Sequence, residues 1–340
     1  AITVEVNVTI AGGDATGYIF VDGGLYTVKD GKTTILIDIE TAGMQFWALR
    51  YTGDDKYNDG STIIIFNAGK AASTIEIDGD KEITTTEDAT VIVTVGPEGV
   101  TGTVNITVDG EAYGEPVEVI DGVATVEIPG LAAGNHTITA QYNGDDSFNA
   151  SEIAEMNVTV SLAPTEMEID TEGAVYNETA YVYVFLSEED ATGTVTVTIG
   201  DKTFTADVED GLAIVEITGL AVGKYEQFDV TYSGDDTFNA TSGMATIEIT
   251  PAASLVVIDP IDDVVYNASV EVSYAIENET DVTVSVYDAD GNLITEGITI
   301  EDDKVTISGL VAGEYTIEIY NAGDENHTES SDLETFNVLK

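Results

Sequence analysis

An all-β fold, arranged as four β-sandwich domains in tandem, is predicted by three features: residue usage, two-residue alternation, and a motif that returns four times. Thr, Val and Ile dominate the 340 residues, and no Leu/Ala/Glu/Lys stretch at helical spacing occurs. Branched side chains lose rotamer freedom in a helix and pack well on a pleated surface. Apolar residues make up 43% of the chain, enough to build cores despite its acidity. The length exceeds one ordinary core and suits roughly two to four domains.

Self-similarity sets the organisation. Four segments align: Tyr51-Thr-Gly-Asp-Asp-Lys-Tyr-Asn58, Tyr142-Asn-Gly-Asp-Asp-Ser-Phe-Asn149, Tyr232-Ser-Gly-Asp-Asp-Thr-Phe-Asn239 and Tyr320-Asn-Ala-Gly-Asp-Glu-Asn-His327, the last with a one-residue insertion. Their spacing of about 90 residues is that of one sandwich domain. A second motif precedes them: Gly130-Leu-Ala-Ala-Gly-Asn-His136, Gly219-Leu-Ala-Val-Gly-Lys-Tyr225 and Gly309-Leu-Val-Ala-Gly-Glu-Tyr315, with a degenerate copy at Glu40-Thr-Ala-Gly-Met-Gln-Phe46. A third recurs earlier, as Thr101-Gly-Thr-Val-Asn-Ile-Thr-Val108 and Thr192-Gly-Thr-Val-Thr-Val-Thr-Ile199.

Within the second repeat, alternation predicts strands at Thr74–Ile77, Thr90–Val95, Gly102–Val108, Val117–Val119, Ala124–Ile128, His136–Tyr142 and Glu152–Val160. Val104, Ile106 and Val108 fall on one face, with Thr103, Asn105 and Thr107 on the other, as a half-buried strand requires. Asp109-Gly110 and Asp121-Gly122 stand where hairpins must turn. Short strands at this spacing indicate a two-sheet sandwich. Connectors near Ala68–Ala72, Ser161–Pro164 and Pro251–Ser254 divide the chain into domains 1–70, 71–161, 162–251 and 252–340. They are short, so a beaded rod with limited hinge freedom is expected. Ala1–Ile10 aligns with the second strand of the next domain, which leaves domain 1 without an opening strand and with an exposed sheet edge. Two explanations stand: a piece of a longer array, or a strand donated by a neighbouring subunit to make a head-to-tail fibre.

Together the three motifs resemble the group-3 bacterial Ig-like repeats, most closely those of adhesin-like proteins of methanogenic archaea. The resemblance covers essentially the whole chain. It implies a tandem array of four immunoglobulin-like β-sandwich domains forming an extended rod, in a large, repetitive, secreted, cell-surface protein. Domains 1 and 4 depart from the pattern, at the corner and the loop respectively.

Charge restricts the partners. With 64 acidic and 10 basic residues, the formal net charge is −54. Nucleic acid and anionic membranes would repel such a chain, whereas cations suit it. Distributed surface acid also keeps an extended protein soluble; abundant Ile, Asn and Tyr do not fit a haloarchaeal balance. No cysteine is present, which sandwiches of this size tolerate in an oxidising compartment. No apolar run reaches the ~18–20 residues needed to span a bilayer, and no leader opens the chain, so an address and anchor are expected elsewhere in a secreted protein.

Among residues that might carry chemistry, the acidic loops come first. Asp54, Asp55, Asp145, Asp146, Asp235, Asp236, Asp324 and Glu325 could ligate Ca²⁺, a hard cation that takes oxygen ligands. The loops lack the alternating ligand spacing of a dedicated calcium site, and Asp in a turn commonly bonds its own backbone; both readings stay open. Phe46, His136, Tyr225 and Tyr315 mark a structural corner, the tyrosines anchoring it as in other sandwiches. Phe46 and His136 cannot make a hydroxyl bond, so packing is the expected common requirement. Ten asparagines open N-x-Ser/Thr sequons and are glycosylation candidates: Asn7, Asn105, Asn135, Asn149, Asn157, Asn177, Asn239, Asn267, Asn278 and Asn326. The two histidines lie in separate domains, and no nucleophile–His–acid or zinc spacing can be assembled. Lysines occupy no common repeat position, which argues against systematic self-crosslinking.

The sequence therefore reads as a non-catalytic, extracellular stalk or adhesin-like segment. Its partners would be other surface components, the surface of a partner cell, or further copies of the chain in a fibre; no cofactor is required, and Ca²⁺ at the acidic loops is the one candidate. The competing reading is a fibre subunit whose donor strand lies near Leu333–Leu339. A carbohydrate-binding module would need exposed aromatics on one face, and Trp47, the single tryptophan, sits on a core-like strand.

Overall fold

The computed structural model describes residues 2–340, with the side chain of Ile2 left aside. It contains strands and turns and, among the described residues, no helix. The chain divides into two compact units, Ala1–Ala163 and Pro164–Lys340. Each unit holds two pairs of sheets.

The second domain shows how the repeat folds. One sheet orders Val123–Ile128, Ala89–Gly96 and Thr74–Gly79; the other orders Glu111–Glu118, Thr103–Val108, Gly134–Tyr142, Ala154–Ser161 and Glu82–Thr84. Alternation sends Val91, Val93 and Val95 from the first sheet against Val104, Ile106, Ile138 and Val158 from the second, all buried. Asp109-Gly110 and Asp121-Gly122 take positive φ at both residues, the backbone of tight hairpin turns. The opening segment divides its pairing between the sheets. Thr74–Gly79 runs antiparallel to Ala89–Gly96, and Glu82–Thr84 then runs parallel to Ala154–Ser161. That short second piece was not anticipated: in three residues only Ile83 turns inward, too little to register as alternation. The expected strand Val117–Val119 is in fact the end of a longer one, Glu111–Glu118, whose outer part carries mostly exposed side chains.

The same divided strand recurs as Met167–Glu172 with Ala174–Val175, and as Leu255–Ile258 with Val264–Val265. Domain 1 has no counterpart among the described residues. Its first sheet is the pair Ile2–Thr9 and Lys32–Ile39; its second orders Gly24–Val28, Gly17–Val21, Gly43–Tyr51 and Gly60–Ala68. Two edges are therefore open, one on Ile2–Thr9 and one on Gly60–Ala68. Burial records the consequence. Val4, Val6 and Val8 are only half-buried where Val91 and Val93 are fully enclosed, and Phe66 is half-buried where Val158 is enclosed. Trp47 is likewise half-buried, stacked on Phe66 with ring centroids 5.3 Å apart.

The segment named from sequence as a strand donor, Leu333–Leu339, is not free to donate. It belongs to the closing strand Ser330–Leu339 of domain 4, paired along its length with Gly313–Asn321 and, at Val338 and Leu339, with Val264–Val265 on the other side; Phe336 and Val338 lie in the core.

Candidate functional site

The recurring acidic loop is built around one tyrosine, one aspartate and one threonine. In domain 2 the strand Gly134–Tyr142 delivers Tyr142 to the core, where its hydroxyl donates to the Thr101 carbonyl at 2.5 Å. Three residues on, Asp145 spends both carboxylate oxygens. One accepts from the Thr101 amide and hydroxyl, each at 2.9 Å; the other accepts from the amides of Ser147 and Phe148, at 2.7 and 2.8 Å. Domain 3 repeats the set. Tyr232 donates to the Thr192 carbonyl, and Asp235 accepts from Thr192, Thr237 and Phe238. Domain 1 repeats it with Tyr51, Asp54, Thr16, Lys56 and Tyr57. Glycine is required before the aspartate. Gly144 has φ +81°, and a Cβ there would stand 2.9 Å from the Phe148 carbonyl oxygen.

Electrostatics follow from this wiring. Burial alone would raise the Asp145 carboxyl, but the amides of Thr101, Ser147 and Phe148 outweigh it and hold the group at about 2. Asp235 is held at about 2 in the same way, and Asp54 falls well below the carboxylate range, chiefly through the Thr16 amide. Burial, with Asp145 nearby, pushes the Tyr142 hydroxyl up to about 12. The second acids, Asp55, Asp146, Asp236 and Glu325, are exposed. Among the described residues, no group of three or more His, Cys, Asp or Glu side chains is placed to hold a metal ion.

Domain 4 reaches the same end by different chemistry, and corrects the alignment. Tyr51, Tyr142 and Tyr232 stand opposite Ile19, Val104 and Val195; opposite Val282 stands Asn321, not Tyr320. The loop has no insertion. Tyr320 is displaced from the core, its hydroxyl donating to Glu329, while Asn321 is fully buried. The Asn321 amide oxygen accepts from the Thr280 amide and hydroxyl at 2.9 and 2.8 Å, and its nitrogen donates to the Asn278 carbonyl. One asparagine thus takes over the hold on the threonine that Asp145 has in domain 2. Asp324 keeps the loop half of the task, accepting from the amides of Asn326 and His327 and facing His327 Nδ1 at 2.8 Å. The Asn326 amide leads the causes that lower its carboxyl.

The loop also grips the incoming chain, which the sequence did not reveal. Ala71 donates its amide to the Ser147 carbonyl and accepts from the Asn149 amide, both at 2.8 Å. Lys70 Nζ reaches the Asp145 carbonyl, and the Asn149 side-chain nitrogen returns a bond to the Lys70 carbonyl at 3.1 Å. In the second unit Ala252 bonds Asn326 and Thr328 in the same pattern at 2.9 Å. In domains 2 and 4 the loop therefore ties three things together: its own turn, the start of a core strand, and the connector entering its domain.

At the corner, the shared requirement is a donor rather than packing. Tyr225 and Tyr315 donate to the carbonyls of Ala221 and Val311, each at 3.0 Å. His136 bonds the Ala132 carbonyl through Nε2 at 2.8 Å and Asp109 through Nδ1 at 2.7 Å, so it does make the corner bond. The Ala132 carbonyl first, then Asp109, raise its pKa. In domain 1 the corner residue is Gln45, whose Nε2 donates to the Thr41 carbonyl at 2.9 Å; Phe46 points outward and is 63% exposed. Counting two residues from Gly43, Gly134, Gly223 and Gly313, where each strand begins, would have identified Gln45.

The sequons divide by geometry. Nine of the ten asparagines are exposed and Asn326 is partly covered. Side-chain nitrogens are engaged as donors at Asn105, Asn149 and Asn278. Asn177 and Asn267 occupy exposed turns with φ of 71° and 72°.

Replacing Asp145 with Asn presents an amide to the Thr101 donors and removes the charge. It is expected to destabilise domain 2 by about 1–3 kcal/mol near neutral pH, the usual range for a charged buried-side hydrogen-bond acceptor. The folded carboxyl lies below its unfolded value of about 3.9, so its contribution is complete above that value and fades as pH falls toward 2. Thermal melts of both proteins across that window should converge in acid; a constant difference would refute the assignment.

A search of the curated proteins gave no significant match. Solved structures that are similar include a tetra-tandem repeat from the extending region of a large adhesion protein, at 19% identity and TM-score 0.40, covering 99% of this chain and 95% of that one. An I-band fragment from titin aligns at 13% identity and TM-score 0.31, covering 80% and 100%. The N-terminal eight Ig domains of Down syndrome cell adhesion molecule align at 12% and 0.30, covering 100% and 47%. Residues 78–161, nearly all of the second domain, match the family model described as bacterial Ig-like domain (group 3), the family that the recurring motifs resemble.

Proposed function

We propose that this chain is a non-catalytic stalk or adhesin-like segment of an archaeal cell-surface protein, supplying reach and a repeated lateral surface outside the cell. The observation that carries this reading is the use made of the recurring acidic loop. Its aspartate oxygens are committed to amides and hydroxyls of its own domain, and its backbone to the incoming connector. What repeats is thus architecture, and the histidines of domains 2 and 4 each bond a local aspartate. The exposed acids beside the loops form a diffuse field that attracts cations without requiring a bound Ca²⁺. Exposed sequons, Asn177 and Asn267 foremost, suit glycans that keep neighbouring stalks apart. The archaeal assignment rests on the motif resemblance. If length is the function, replacing residues 162–251 by a second copy of 71–161 should preserve surface display and attachment of producing cells. Loss of attachment on that exchange would mean that domain 3 carries a specific site.

A fibre subunit accepting a donated strand is a second reading, favoured by the groove in domain 1. The open edges border a cavity of about 500 Å³ lined by Val8, Ile10, Ile19, Leu49, Tyr51 and Tyr57. Its fitting occupant is an extended segment of the chemistry of Thr74–Thr84, which closes the same position in domain 2. A synthetic peptide of that sequence should bind the chain saturably and raise the melting temperature of domain 1. Absence of binding, or equal binding of a scrambled peptide, would remove the fibre reading.

A further inference from the structure

The outer face of one sheet in domain 1 differs in kind from its equivalents. Strand register places Phe46 beside Ile65, Ala48 beside Ile63, and Phe20 beside Leu25, all pointing away from the core. Phe46, Ile63 and Ile65 are 63, 61 and 55% exposed. The positions of Phe20, Met44, Phe46 and Ile65 correspond in domain 2 to Asn105, Asn135, Thr137 and Asn157. There the face is a polar ladder, with Thr137 donating to Asn157 at 3.1 Å and Thr159 to Asn135 at 3.0 Å. Three of those residues open sequons, whereas the corresponding face of domain 1 carries none. In domain 4 the pairs read Glu314–Asn337, Thr316–Thr335 and Glu318–Leu333, with one apolar residue among six. A contiguous apolar patch on a soluble surface marks an interaction site.

Charge selects the same domain. Residues 1–70 hold nine acidic and five basic side chains, while the other 270 hold 55 and five. Two copies of a chain of net charge −54 therefore repel one another least at this domain.

We propose that this face of domain 1 is a self-association surface, meeting the same face of a second copy in a two-fold, sheet-on-sheet contact. Face-to-face sheet packing needs two apolar surfaces, and a two-fold interface supplies both from one patch. Among the described residues on the equivalent faces of domains 1, 2 and 4, those of domain 1 alone offer an apolar surface to match. A polysaccharide is the weaker occupant. The centre of the patch, Phe46, Ala48, Ile63 and Ile65, carries no hydrogen-bonding side chain, and Arg50, Ser61 and Asn67 stand at its two ends, whereas a sugar platform needs rings and polar groups side by side. The inference rests on neither the stalk nor the fibre reading, since it uses an outer face and not the open edges.

The test is sedimentation of the whole chain over a concentration series, at physiological and high salt. A reversible dimer is expected, tightened by salt because screening removes the residual repulsion. Ile65→Glu should weaken it by at least about tenfold, the effect of roughly 1.4 kcal/mol, while Thr137→Glu on the matching face of domain 2 should not. Because the chain has no cysteine, Phe46→Cys gives a second arm that does not depend on the charged variant's stability: mild oxidation should yield a covalent dimer, and Asn157→Cys should not. A chain that stays monomeric throughout would overturn the proposal. So would a dimer indifferent to Ile65→Glu, or a monomer whose face instead binds polysaccharide.

Discussion

Each sandwich depends on closing its last loop without leaving backbone donors unpaired. A single carboxylate does this in domains 1 to 3. It collects amides from the turn beside it and an amide and hydroxyl from a threonine some forty residues earlier in sequence, while a tyrosine from the same motif binds the threonine carbonyl. Unsatisfied buried donors are costly, and ionised acceptors make the stronger bonds. The negative charge therefore belongs where many N–H groups converge. An acid in this position serves structure, which accounts for its return in domain after domain.

The fourth domain shows that the constraint is the threonine and not the tyrosine. Asn321 loses the aromatic ring yet keeps a bond to both donors of Thr280. Its side-chain nitrogen settles the neighbouring Asn278 carbonyl in the same stroke. The corner follows the same logic, with Tyr, His and Gln exchanging freely so long as each donates to a carbonyl four residues back. Chemical function at a position, rather than residue identity, is what the repeats preserve.

Much of this was legible in the sequence, for physical reasons. Strands such as Thr103–Val108 alternate strictly because one face is buried and the other wet, and Asp-Gly marks turns because few other residues accept positive φ. What escaped was whatever depended on register. Tyr320 matches the tyrosine of the motif, yet counting back three residues from Asp324 leads to Asn321, and Phe46 stands one residue from the true corner. Ile83 sits on a piece too short to show a period. The grip on Ala71 is made by backbone groups, which residue identity does not report. The apolar face of domain 1 did leave a trace, since Ile63-Ile64-Ile65-Phe66 is continuous where its counterparts alternate.

The measurement closest to the central claim is a residue-specific NMR titration of the Asp145 and Asp235 carboxyl carbons, with and without Ca²⁺. If these carboxylates are held by backbone donors, both titrate at about 2, and Ca²⁺ leaves the midpoints and neighbouring amide shifts unchanged. Midpoints near the ordinary aspartate value of about 3.9, or saturable shifts on adding Ca²⁺, would contradict the account and make the loops cation sites.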